Sequence, residues 1–148
     1  MADEITLRVE EPEAGYLRYA HEGDAGLDLR AAEDCWVLSK AMETKMVPTG
    51  IRVEIPEGYV GLIAPRSGLA VKEMVTVINS PGVIDSGYRG EIKVGLVNYG
   101  YSNYRVHKGD RIAQLLIVPV AKARVVRVDS VDKDTERGSD GFGSSGLK

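Results

Sequence analysis

Apolar residues recur at every second position in short runs, and each run is cut off within a few residues by glycine, proline or aspartate. Ile5, Leu7 and Val9 alternate with polar neighbours, as do Ile51, Val53 and Ile55, then Ile92, Val94 and Leu96, and later Val125 and Val128 around Arg127. A period of two turns one face of an extended chain to a core and the other to water, so these runs read as half-buried strands. Turn signals separate them at Glu57-Gly58, Ser80-Pro81-Gly82, Asp85-Ser86-Gly87, Arg89-Gly90, Tyr99-Gly100 and Lys108-Gly109-Asp110. Many short strands broken by tight turns imply an all-β sandwich or barrel, and no long segment has helical spacing strong enough to compete. One helical turn is expected, with Ser67 as its N-cap and a body from Gly68 to about Met74.

The 148 residues suffice for one unstapled core, since a chain of this size buries roughly 70% of the surface that its unfolded form exposes. A net charge of -3 argues against a nucleic-acid binder, whose surface would be basic. The lone Cys35 excludes an intrachain disulfide and suits a reducing compartment, and the start Met1-Ala2-Asp3-Glu4 lacks the features of a signal peptide. Leu115 to Ala121, the longest apolar run, is too short to span a bilayer. A cytoplasmic protein without membrane attachment is expected.

After Val131 the chain becomes polar and glycine-rich. The expected organisation is therefore a β domain over 1–131 and a flexible C-terminal arm over 132–148. Phe142, the only Phe, lies in that arm between glycines that cannot pack it into a core. Such a residue is either incidental or part of a lid that closes over something flat.

Five stretches remain that strand and turn grammar does not fully explain: Asp24-Ala25-Gly26-Leu27-Asp28-Leu29, Pro65-Arg66-Ser67-Gly68-Leu69-Ala70, Gly82 to Glu91, Gly109-Asp110-Arg111-Ile112-Ala113-Gln114-Leu115, and Arg137 to Ser144. In this order and at these spacings they resemble the five motifs of the trimeric dUTP pyrophosphatases, the dUTPases. The resemblance implies a jelly-roll-like β subunit of the β-clip kind, a homotrimer with shared active sites, and Mg²⁺ as cofactor. It also implies hydrolysis of dUTP to dUMP and pyrophosphate, which limits uracil incorporation into DNA and supplies dUMP for dTMP synthesis.

Each motif has a plain reading beside the one the resemblance implies. Asp85-Ser86-Gly87 is ordinary hairpin chemistry; by resemblance Asp85 positions and activates the water that attacks the α-phosphorus. A carboxylate is a feeble base, so proton removal must accompany attack and positioning must supply much of the advantage. Tyr88 is either a strand-start aromatic or the ring that packs under the deoxyribose and excludes a 2'-hydroxyl. Asn79 caps a turn, or else reads the uracil edge with the backbone of Gly82, Val83 and Ile84, where N3–H needs an acceptor and O4 a donor. Ser67 and Gly68 open a helical turn whose free N–H groups suit an anion, with Arg66 adjacent, unless they form only a cap beside a salt bridge. Gln114 places an amide inside an apolar run, where it needs partners; the resemblance gives it a phosphate oxygen.

No His/Cys cluster or EF-hand spacing occurs in the sequence, and a triphosphate chelates Mg²⁺ with few protein ligands. Asp28 resembles the family carboxylate that reaches the hydrated ion through water, or else it is a strand-edge Asp paired to an Arg. In the arm, Arg137 is expected to meet the terminal phosphate and Phe142 to stack on uracil, while Gly143 and Ser144 wrap the phosphates. Asp140 stands where the family pattern commonly has glycine. Two rivals remain, a dCTP deaminase of the same fold and a nucleotide-sensing module whose closed lid presents a surface to a partner protein.

Overall fold

The computed structural model describes residues 4–40 and 43–146. Met1 to Asp3 and the last two residues of the expected 132–148 arm lie outside the described residues. Eleven strands and one helix follow in order: β1 (Arg8–Glu10), β2 (Leu27–Arg30), β3 (Cys35–Val37), β4 (Thr44–Pro48), β5 (Arg52–Glu54), β6 (Tyr59–Ala64), α1 (Ser67–Glu73), β7 (Val75–Val77), β8 (Gly82–Ile84), β9 (Lys93–Asn98), β10 (Tyr104–Val106) and β11 (Arg111–Pro119). Every strand pair is antiparallel. The sheets are open and run β2-β11-β6-β8, β4-β9-β7, β1-β5 and β10-β3, a jelly-roll-like all-β arrangement as expected.

Period-two residues build the core. Ile51, Val53 and Ile55 are buried around β5, and Ile92, Val94 and Leu96 around β9. Leu29, Ile112 and Leu115 join them from β2 and β11. β9 departs from simple alternation because Val94 to Asn98 are all buried. Its second face is closed by Gly95, on which Ile78 and Met46 pack.

Two buried polar side chains connect this core. The hydroxyl of Thr49 donates to Ile92 O at 2.6 Å and accepts from Ile51 N–H at 3.2 Å. The Asn98 amide donates to Val37 O and Ser102 O and accepts from Gly100 N–H, which ties β3 to the loop after β9. Among the described residues no buried side-chain polar atom lacks a partner. Burial pushes the Cys35 thiol above its ordinary range, which disfavours the thiolate. Among the described residues no helix is long and apolar enough to cross a membrane.

Four local expectations are corrected. Ser67 is the first helical residue rather than the cap; extended Arg66 takes the cap position without a side-chain bond, and Met74 closes the helix in the left-handed conformation at φ 56°. Gly82 does not end the Ser80-Pro81-Gly82 turn but begins β8, and the Ser80–Pro81 bond is cis. Ile5 and Leu7 precede β1 instead of lying in it. No strand forms around Val125 and Val128, which are 82% and 62% exposed, because no edge of the same chain pairs with them.

Replacing Thr49 by Val keeps the shape but leaves the buried Ile51 N–H without its acceptor. Chemical denaturation of the variant should show a loss of about 1–3 kcal/mol with the fold retained. A midpoint equal to that of the parent would show that the Thr49 bonds to Ile51 and Ile92 do not contribute to stability.

Candidate active site

β11 pairs with β2 along one edge and with β6 along the other, and Gln114 and Leu115 are paired on both, Gln114 opposite Asp28 and Ala64 and Leu115 opposite Leu27 and Ile63. The chain leaves β6 at Pro65 and enters α1 at Ser67, so the first, second and fourth motifs meet at one end of the sheet. They line a cleft of about 310 Å³ walled by Asp28, Arg66, Ser67, Gly68, Arg111 and Gln114. Regular alternation would turn Arg111 and Gln114 to opposite faces. A register shift between Arg111 and Ala113 changes the parity, and both residues reach Asp28's side of the sheet.

Asp28 is 8% exposed, and its two carboxylate oxygens lie 3.6 Å from Arg66 Nε and 3.6 Å from Arg111 Nη1. The strand-edge ion pair left open by the sequence is therefore present, and it is double. The Gln114 amide donates to Pro65 O at 2.9 Å. Gly26 lies against the same side chain: a Cβ there would strike Gln114 Oε1 and come within 3.0 Å of its Cβ. Arg111 and Gly26 were given no role in the sequence reading although both lie inside quoted motifs. The chemistry of Asp28 between two guanidiniums and the contact with Gln114 identify them.

The third motif occupies another edge. β8 pairs with β6 through Gly82–Ile63, Val83–Leu62 and Ile84–Gly61. A side chain on Gly82 would press within 3.2 Å of Ile63 Cβ and 3.3 Å of Asn79 Nδ2, so glycine permits the close approach of Asn79. Asp85 is exposed in a turn closed by Tyr88 N–H donating to Asp85 O at 3.0 Å. Arg89 braces that turn through Ser86 O and Tyr88 O. Ile84 and Tyr88 line a second cleft of about 530 Å³ with Met46, Arg52 and Lys93. Asp85 and Tyr88 are not among the residues that line the first cleft.

The fifth motif joins neither group. Residues 121–146 are all exposed, Phe142 completely so, and Arg137 Nε is spent on Asp140 O at 3.0 Å. Thus one chain brings together Asp28, Arg66, Ser67, Gly68 and Gln114, holds Asn79, Gly82, Val83, Ile84, Asp85 and Tyr88 on a separate edge, and leaves Arg137, Phe142, Gly143 and Ser144 in water.

As a metal site the first cleft is poor in ligands. Among the described residues no three His, Cys, Asp or Glu side chains are grouped to hold an ion. His21 and Asp24 also line the cleft, and Asp28 faces guanidiniums on both oxygens. Such a site fits a hydrated cation brought in by a polyphosphate and does not fit one held by the protein itself.

Comparison with known proteins gives the class of this fold and site. The dUTPase family model matches residues 13–146. The deoxyuridine 5'-triphosphate nucleotidohydrolase of Clostridium kluyveri is 51% identical over 128 residues, covering 86% of this chain and 87% of its own. That of Bifidobacterium longum subsp. infantis is 47% identical over 146 residues, covering 97% of this chain and 90% of its own. Among solved structures, the dUTPase of Staphylococcus bacteriophage 80alpha with dUPNHPP superposes with a TM-score of 0.84 at 32% identity, over 96% of this chain and 99% of that one. A mutant dUTPase of phage phi11 of S. aureus, described as revealing the coordination of a structural Mg(II) ion, gives a TM-score of 0.75 at 28% identity, over 86% of this chain and 99% of that one. The chain belongs to the dUTPase family.

Gly26→Ala tests the packing of the first cleft. The added methyl strikes the Gln114 amide oxygen and also presses on its Cβ at 3.0 Å, so the amide must move from its bond to Pro65 and stability should fall by about 1–3 kcal/mol. The Gln114 side-chain amide resonances should shift as its bond to Pro65 is strained, and an unperturbed spectrum would contradict the contact.

Proposed function

We propose that this chain hydrolyses dUTP to dUMP and pyrophosphate by water attack at the α-phosphorus, within a homotrimer in which each site combines residues from different chains. The carrying observation is the segregation of the motifs: two arginines and a glutamine in one cleft, a pinned Asp85 turn on another edge, and an arm that touches neither. A single chain holds all the parts and assembles none of the whole.

In this reading Arg66, Ser67, Gly68 and Gln114 receive the α- and β-phosphates, with Arg111 beside them, and Arg137 of the arm receives the terminal one with a forked guanidinium. Asn79 and the backbone of Gly82, Val83 and Ile84 read the uracil edge. Cytosine reverses both polar positions there, leaving buried groups unpaired, which discriminates more strongly than a lost methylene. The Tyr88 ring excludes a 2'-hydroxyl, and Phe142 stacks on the base while Gly143 and Ser144 close over the phosphates. Asp85 orients the nucleophilic water and takes its proton as the bond to phosphorus forms; pyrophosphate leaves with the electrons of the broken P–O bond. Mg²⁺, held by the triphosphate and reached through water by Asp28, would neutralise charge on the phosphates. We assign the activity to the cytoplasm, where it limits uracil in DNA and supplies dUMP for dTMP synthesis, with the β domain ending near 131 and residues 132–148 acting as the lid.

A nucleotide panel with pyrophosphate detection tests the activity. dUTP should be turned over far faster than dTTP, dCTP or UTP, and Asp85→Asn should lower kcat by about 10² to 10⁴ while nucleotide still binds. Comparable kcat/KM for dCTP or UTP would refute the pocket assignment, and a variant keeping a tenth of the parent's kcat would refute the role of Asp85.

Sharing of the site is tested by mixing two dead chains, Asp85→Ala with an intact arm and a chain deleted from Thr135 onward. In randomly mixed cyclic trimers about a quarter of the sites combine an intact Asp85 with an intact arm from the correct neighbour, so about a quarter of the parent activity should return. Activity that stays at the level of the two parents, in material shown by mass spectrometry to contain mixed trimers, would overturn the shared site.

A further inference from the structure

Glycines in the Asp85–Glu91 turn are there for different reasons. Neither Gly87 nor Gly90 has a positive φ, so the backbone path does not require glycine at either position. A Cβ on Gly87 would meet nothing within 4 Å. A Cβ on Gly90 would be driven into the Tyr88 phenol, striking its hydroxyl and reaching 2.5 Å from Cζ and 2.9 Å from Cε2. The ring of Tyr88 therefore lies directly on the bare Cα of Gly90. Its hydroxyl donates to Glu91 O at 2.9 Å. Glu91 is itself anchored, since its Oε1 accepts from Gly50 N–H at 2.9 Å and its neighbour Ile92 is 1% exposed. The phenol end of the ring is seated on Gly90, its hydroxyl is tethered to Glu91, and the residue remains 43% exposed.

We infer that Gly90 is a positioning residue for sugar selectivity: the absence of its side chain sets the depth at which the Tyr88 ring stands, and with it the room left at the 2' position of the nucleotide. The inference rests on the reading of Tyr88 given under the proposed function. The atoms in the way are the far end of a side chain, so a methyl on Gly90 is accommodated by swinging the ring outward and not by moving the fold. The wall is displaced, the tether to Glu91 breaks, and a ribose enters space that the seated ring denies it.

The test is a double-mutant cycle read as the ratio of kcat/KM for dUTP to that for UTP, measured on the full chain. Gly90→Ala should lower the ratio by about tenfold or more, Tyr88→Ala at least as much, and Gly90→Ala with Tyr88→Ala no further than Tyr88→Ala alone, because the methyl has nothing to strike once the ring is gone. Gly87→Ala, in open space within the same turn, should leave the ratio unchanged. If Gly90→Ala fails to fold, recovery of folding in the double variant shows the same coupling, and a double variant that also fails to fold overturns it. A ratio unchanged by Tyr88→Ala refutes the proposed role of Tyr88. A ratio lowered by Tyr88→Ala but untouched by Gly90→Ala, or effects that simply add, refutes the role of Gly90 alone.

Discussion

β11 is hydrogen-bonded along both edges, to β2 from Arg111 to Leu115 and to β6 from Gln114 to Pro119. A strand held on two sides cannot slip by one residue without turning Ile112, Ala113 and Leu115 out of the core, so its register is enforced by burial. That register puts Gln114 between Asp28 and the end of β6, and the shift after Arg111 sends a guanidinium to the same carboxylate. Three stretches far apart in the chain become one cleft through this single strand.

Within the cleft, Asp28 holds close together two cations that would otherwise repel. Arg66 and Arg111 keep 33% and 41% of their side-chain surface in water, so solvent screens these pairs and their contribution to stability is small. Their consequence is positional. Each guanidinium is fixed near a polyphosphate-sized cleft while retaining donors that Asp28 does not use, since a guanidinium has five.

The protomer also leaves apolar surface uncovered. Val125, Val126, Val128 and Val131 stand in water along the strandless segment, and Ile5, Leu7, Leu17, Tyr59 and Ile117 line an open groove of about 680 Å³. Exposed apolar surface is a general mark of interaction sites. It agrees with the proposal that the working unit contains more than one copy and that the arm serves a site outside its own chain.

The alternation of Ile51, Val53 and Ile55 and of Ile92, Val94 and Leu96 was enough to place β5 and β9 and to call the chain all-β, because side-chain direction in an extended chain depends only on parity. The same rule failed at Val125 and Val128, where parity was right but a strand needs an edge to bond to, and no sequence pattern says whether that edge exists. The five motifs were legible as residues, including Asp28, Asp85 and Gln114, since their types and order are carried by the chain itself. Which of them meet was not. Arg111 reaches Asp28 only because a bulge reverses its face, Gly26 and Gly90 matter only through the side chains folded onto them, and Arg66 caps the helix that Ser67 was expected to cap. Local composition determined the elements and the chemical inventory of this protein; register, bulges and close packing, which are contacts between distant segments, decided where that inventory converges.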